Sequence, residues 1–130
     1  MQTRVLVCGG REYRDADQMH TMLSASHSRL CFSVVIEGEA PGADSLARDW
    51  AQLHKIPVEP YYAEWELFGP NAGSMRNSKM LREGRPDLII AFPGDTGTAD
   101  MVKKGRAANV TVIAGTWSNG PGSKINWKKL

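Results

Sequence analysis

The chain has 130 residues, 42% of them apolar and 23% charged, and its 16 basic and 14 acidic side chains leave a net charge of +2. That is the size of one ordinary domain, able to bury roughly two thirds of the surface its unfolded form exposes, with the composition of a soluble globular protein. No apolar run approaches the ~20 residues of a bilayer span, the near-neutral balance lacks the basic face of a dedicated nucleic-acid binder, and the opening stretch up to Val5-Leu6-Val7 is too short for a signal peptide, so a cytoplasmic location is expected.

Five apolar runs alternate with helical patterns, as in a βαβ series with a mostly parallel sheet covered on both faces. The first run, Arg4 to Cys8, leads into Gly9-Gly10-Arg11. A first helix follows, with Met19, Met22, Leu23, Ser26 and Leu30 at helical spacing and Asp15 or Asp17 as its cap. His20 and His27 lie on it as surface histidines; with no carboxylate or thiol at ligand spacing, no metal site is expected. Cys31 comes next, and both it and Cys8 sit in apolar stretches without a Cys-x-x-Cys motif, as reduced core thiols do.

The second run, Ser33 to Glu37, passes through a glycine-containing loop, Gly38 to Asp44, into the clearest helix, whose buried face is Ala43, Leu46, Ala47, Trp50, Ala51 and His54. A third strand spans Val58 to Tyr62, an irregular stretch spans Glu64 to Gly73, and a third helix is expected from about Ser74 to Glu83. The fourth run, Asp87 to Phe92, enters Pro93-Gly94-Asp95-Thr96-Gly97-Thr98 and a fourth helix with Met101, Val102 and Gly105 on one face. A fifth strand, Val110 to Ala114, completes a domain over residues 1–114. Residues 115–130 read as a turn-rich tail that adds an edge strand or trails from the domain.

Three strand-to-helix loops therefore carry glycine. Glycine lets a ligand approach the backbone, and a helix start offers unpaired N–H groups and a partial positive charge, which together suit phosphate. In a doubly wound sheet of order 3-2-1-4-5 the first and fourth strands are neighbours, and a ligand crevice opens at their carboxyl ends. Gly9, Gly10, Gly94 and Gly97 would flank it, with Gly42 next door. The Thr96 and Thr98 hydroxyls would hold phosphate or cap the fourth helix, and Arg11 would reach a phosphate or carboxylate. Asp44 would complement a helix dipole or bond a ribose hydroxyl. Arg76, Asn77 and Lys79 make a polar face on the third helix, and Trp65 offers a stacking or association surface if it does not pack in the core.

Gly9-Gly10-Arg11-Glu12-Tyr13, the stretch from Glu37 to Ala47, Arg76-Asn77-Ser78-Lys79-Met80, and the stretch from Ala91 to Met101 resemble the YspA-type, cpYpsA-related branch of the SLOG superfamily. The resemblance covers about residues 3 to 114. It implies an α/β, Rossmann-like, doubly wound, mostly parallel five-stranded sheet with helices on both faces. The superfamily includes the LOG phosphoribohydrolases, the DNA-processing protein DprA and sensor domains for NAD-derived nucleotides.

Against the LOG motif Pro-Gly-Gly-x-Gly-Thr-x-x-Glu, this chain has Asp95 in place of a glycine and Met101 in place of the glutamate. Arg76 resembles an arginine near that site. The implied function is binding of a nucleotide or nucleotide-derived ligand (ADP-ribose, NAD-like or nucleoside phosphate), by a sensor or sequestering module of the kind phages and mobile elements encode. No further cofactor is required. The alternative is a hydrolase of N-glycosidic or phosphoester bonds, with Glu37, Glu39 or Asp100 as its carboxylate. LOG relatives pair through helices, and Gly105 would leave room for such a homo-oligomer.

Overall fold

A computed structural model describes residues 2–118 and 124–130. In chain order the elements are β1 (Thr3–Cys8), α1 (Ala16–Leu30), β2 (Phe32–Glu37), α2 (Ala43–Leu53), β3 (Val58–Pro60), α3 (Trp65–Phe68), a 3-10 turn (Gly69–Asn71) and α4 (Ala72–Lys79). A π-helical turn (Met80–Gly84), β4 (Leu88–Ala91), α5 (Thr96–Ala107), β5 (Thr111–Ser118) and β6 (Lys124–Lys129) follow. Among the described residues the six strands form one sheet in the order β3-β2-β1-β4-β5-β6, parallel throughout except for the antiparallel β5–β6 pair.

The continuous apolar runs have a direct structural cause. Alternate residues of a strand point to opposite faces, and here both faces are covered. Val5 and Val7 of β1 pack with Met19, Met22 and Leu23 of α1 and with Ala47 and Trp50 of α2. Leu6 and Cys8 face the other way, toward Met80 and Met101. Trp50 is fully buried, and its indole N–H donates to Ser24 Oγ at 3.0 Å, tying α2 to α1.

The sheet has one strand more than the five expected. Residues 124–129 pair with β5 because Ile125 and Trp127 alternate with polar residues and turn inward onto the α1–α2 core. β3 stops at Pro60, and β5 runs on to Ser118. The third helix starts earlier than expected and is split: α4 ends at Lys79 and a π turn carries the chain to Gly84, with Arg85 left-handed at φ 45°.

Three further expectations are corrected. Cys8 is buried, but Cys31 is exposed, because it occupies the left-handed C-cap of α1 rather than a core position. His27 is half-buried rather than a surface residue; its Nδ1 accepts the Phe32 N–H at 2.9 Å. Gly105 leaves no room for a second copy, since a Cβ there would strike Ile89 Cδ1 and come within 3.2 Å of Val112 of the same chain. Asp15, one of the two capping candidates, caps α1 by accepting the Gln18 N–H at 3.0 Å. Among the described residues no helix is long and apolar enough to cross a membrane.

β1 and β4 lie side by side, with Cys8 opposite Ala91. The connection after β1 packs α1 on one face and that after β4 packs α5 on the other. The sheet therefore leaves an opening at the carboxyl ends of these two strands, where open α/β sheets bind their ligands.

Candidate functional site

A cleft of about 390 Å³ occupies that opening. Its floor is Cys8, Gly9, Met80 and Met101; one wall is the start of α5, Asp95 to Thr98, and the other holds Ser74, Arg76 and Asn77 of α4. Trp65 and Arg11 close one end. A more open depression of about 920 Å³ lies on the other flank of α5, with mainly apolar walls such as Val102 and Ala114.

The start of α5 has the features an anion site requires. Asp95 occupies the cap position, yet its side chain accepts no N–H from the helix. Among the described residues the N–H groups of Thr96, Gly97 and Thr98 have no partner; the first N–H engaged is that of Ala99, which donates to the Asp95 carbonyl at 2.9 Å. Neither threonine caps the helix. Thr96 is exposed in the cleft, while Thr98 Oγ1 is buried beneath Gly94 with no hydrogen-bond partner.

The glycines divide into two groups. Gly97 is open: a Cβ there would meet nothing within 4 Å. Gly10, Gly42 and Gly94 instead let the three loops pack on one another. A Cβ on Gly94 would collide with Thr98 Oγ1 and lie 2.7 Å from Gly10 N; one on Gly10 would lie 3.0 Å from Gly94 Cα. Gly42, at φ 81°, abuts the Gly10 carbonyl, which also accepts the Ala43 N–H at 3.1 Å. The start of α2 is thus already engaged by protein. Gly9 lines the cleft but is also pressed against Ala43 and Phe92.

The polar side chains are similarly divided. Arg76 donates to the Gly38 carbonyl and, through Nε, to Asn77 Oδ1 at 3.1 Å; burial lowers its pKa against the opposing charge of Asp44. Asp44 is buried, and Oδ2 accepts the Ala40 N–H at 3.2 Å. Burial raises its pKa, with hydrogen bonds from the Ala40 and Gly38 backbone and the charge of Arg76 pulling the other way. Asp44 therefore closes the β2–α2 loop. Arg11 is exposed, its guanidinium 5.9 Å from the centre of the Trp65 ring, with no hydrogen bond or ion pair of its own among the described residues. Trp65 is 41% exposed and so not a core residue.

Of the three carboxylates considered for catalysis, Asp100 alone lines the cleft. Glu37 is fully buried and does not line the cleft; Oε2 accepts the Glu39 N–H, and Oε1 has no partner. Burial pushes its pKa up to about 7. Glu39 is exposed beside a neighbouring pocket. Asp100 lines the cleft together with Met101. It accepts from Asn77 Nδ2 at 3.0 Å and pairs with Lys104 at 3.1 Å. Burial alone would raise its pKa, but these bonds and the Lys104 charge outweigh it and hold the carboxyl below its usual range.

Cys8, Ser74 and Met80 also line the cleft, and the sequence singled out none of their side chains for it; Gly73, at the end of the irregular stretch, lines it too. Burial pushes the Cys8 thiol up to about 12, which removes it as a nucleophile.

The comparison with known proteins agrees with this architecture. The model of the YspA, cpYpsA-related SLOG family matches residues 3–68. The Gene 61 protein of Mycobacterium phage D29 is 33% identical over 118 residues, which span 85% of this chain and 94% of that protein. The chain belongs to the YspA, cpYpsA-related SLOG family. Among solved structures, the phosphoribosylglycinamide formyltransferase of Coxiella burnetii, determined in complex with CHES, superposes with a TM-score of 0.51 at 17% identity over 91% of this chain. This chain spans 53% of that enzyme's length, and the likeness is one of Rossmann-like fold. The corresponding enzyme of Bacillus halodurans gives a TM-score of 0.44 at 12% identity, covering 100% of this chain and 80% of its own.

Proposed function

We propose that this protein binds a nucleotide or nucleotide-derived phosphate ligand in the cleft between β1 and β4, as a sensor or sequestering module. The observation that carries this reading is the uncapped start of α5: three unpartnered N–H groups, on Thr96, Gly97 and Thr98, at the wall of a cleft at the sheet's topological switch point. Arg11, which among the described residues has no ion pair and only the Trp65 ring for a neighbouring contact, supplies a positive charge for the phosphate, and Arg76 sets a second cation against the cleft wall. Trp65 offers a ring for stacking. Asn77 orients the site through its bond to the Gly97 carbonyl at 3.2 Å.

The reading is of binding rather than hydrolysis. Met101, an apolar residue, lines the cleft where the resemblance to LOG enzymes puts a glutamate, and the Asp100 carboxylate is already held by Asn77 and Lys104. Calorimetry with AMP, GMP, ADP-ribose, NAD and ribose 5-phosphate tests the proposal. Binding of at least one ligand is expected, with affinity lost in Arg11→Ala and no free base or ribose phosphate released. Absence of binding across the set would overturn the reading; release of free base would replace it with the hydrolytic one.

A further inference from the structure

Next to the cleft, and sharing Arg11, Ala40, Trp65 and Arg76 with it, lies a second pocket of about 140 Å³. This is the scale of a single heteroaromatic ring system. Its remaining walls are Gly38, Glu39, Tyr62 and Ala63. Two aromatic side chains stand exposed there, Trp65 at 41% and Tyr62 at 66%, and the Arg11 guanidinium lies over the Trp65 ring. Flat aromatic and guanidinium surfaces are the walls on which proteins stack nucleobases.

Glu39 gives the pocket a polar edge. It has a left-handed backbone, φ 56°, which is sterically disfavoured for a residue with a side chain. Its N–H is held by the buried Glu37 carboxylate, so the conformation is fixed from below. A turn alone would be better served by glycine. Among the described residues the Glu39 carboxylate itself has no hydrogen bond or ion pair, although Glu39 lines the same pocket as Tyr62 and Trp65. An ionised carboxylate only accepts hydrogen bonds, and it accepts best from two donors side by side.

We propose that this pocket holds the base of the bound nucleotide and that Glu39 selects guanine. Guanine presents N1–H and the 2-amino group as adjacent donors, matching the two oxygens of one carboxylate. Hypoxanthine keeps the first donor and lacks the second. Adenine presents a donor beside an acceptor, and the acceptor would face a carboxylate oxygen. Glu37 is then a positioning residue. The proposal rests on the nucleotide-binding reading above, from which it can be separated by experiment.

Calorimetry with GMP, IMP, AMP, 2′,3′-dideoxy-GMP and ribose 5-phosphate is run on the wild type and on Glu39→Gln. GMP is expected to bind about tenfold or more tighter than AMP, the scale of one bidentate base contact, with IMP between them and dideoxy-GMP close to GMP. In Glu39→Gln the GMP advantage should vanish. The base assignment is overturned if AMP binds as well as GMP, if the preference survives in Glu39→Gln, or if the loss follows the ribose hydroxyls rather than the base. In those cases binding of any of these ligands leaves the phosphate reading standing. No binding by any of them overturns both. If the variant folds poorly, the wild-type comparison of GMP with IMP still tests the contact: IMP binding as tightly as GMP would show that no acceptor meets the 2-amino group and would overturn the assignment.

Discussion

The side-chain amide of Asn77 donates to the Asp100 carboxylate at 3.0 Å, and the same nitrogen reaches the Gly97 carbonyl at 3.2 Å. One buried residue of α4 thus holds the first turn of α5, the part of the molecule proposed to receive phosphate. Asn77→Ala should cost about 1–3 kcal/mol in urea unfolding, since it leaves two acceptors short of a donor. Asn77→Asp should cost more, because it sets a second carboxylate against Asp100. Equal stability of both variants and the wild type would show that the contact holds nothing in place.

Glu37 makes stability depend on pH. Its pKa rises from 4.5 unfolded to about 7 folded, so the native state binds more protons than the unfolded state between those values. Stability must then fall as pH rises through this window and level off above it. Glu37→Gln removes the ionisation and keeps an acceptor for the Glu39 N–H. The variant should gain about 2–3 kcal/mol on the wild type between pH 4 and pH 8. A difference that stays constant over that range would refute the assignment.

Two glycines three residues apart, Gly94 just before α5 and Gly97 in its first turn, should respond in opposite directions. Gly94→Ala should destabilise by about 1–3 kcal/mol, because the new methyl meets Thr98 Oγ1 and the Gly10 nitrogen. Gly97→Ala has open space on a helix, and should be neutral or stabilising by up to about 1 kcal/mol. Thermal denaturation of the pair distinguishes loop packing from open backbone; a matched loss in both would contradict the geometry.

The two thiols should separate cleanly. Cys31 is exposed, while Cys8 is buried with its thiol pKa pushed up to about 12. A colorimetric disulfide reagent at pH 8 should label one thiol per native chain and two in denaturant. Cys31→Ser should abolish the native reaction. Rapid labelling of both thiols would mean that the β1 end opens readily.

Much of the fold could be read from the chain because its strands are buried on both faces. Leu88 to Ala91 and Val34 to Ile36 are continuous apolar runs, and the Ala43 to Ala51 face repeats with the helical period. The common doubly wound order 3-2-1-4-5, assumed for the alternating elements, is the order of the first five strands. Elements with little burial gave no such signal. α3 has no buried residue, so Trp65–Phe68 shows no period. β6 turns two apolar residues inward, Ile125 and Trp127, too few to stand out after a stretch rich in glycine and proline.

The position of the candidate site was legible, but the roles of several of its residues were not. A glycine in a sequence permits close approach without saying what approaches. At Gly10, Gly42 and Gly94 it is another loop. Asp44 lines the cleft, and its Oδ2 also accepts the Ala40 N–H within its own loop, a structural task the sequence did not reveal. The importance of Glu39 depends on a backbone angle and on pocket walls contributed by residues 62 and 65, which sequence order does not bring together.

The two ends of the sheet share a property. At one, β3 is three residues long and finishes in Pro60, which has no N–H to offer. At the other, β6 carries Lys124, Lys128 and Lys129 along a strand whose inner neighbour is already paired. Short length and proline guard one border and clustered lysines the other, the means by which open sheets discourage a further strand from docking. At both borders, then, extension of the sheet by a strand from a second copy is disfavoured.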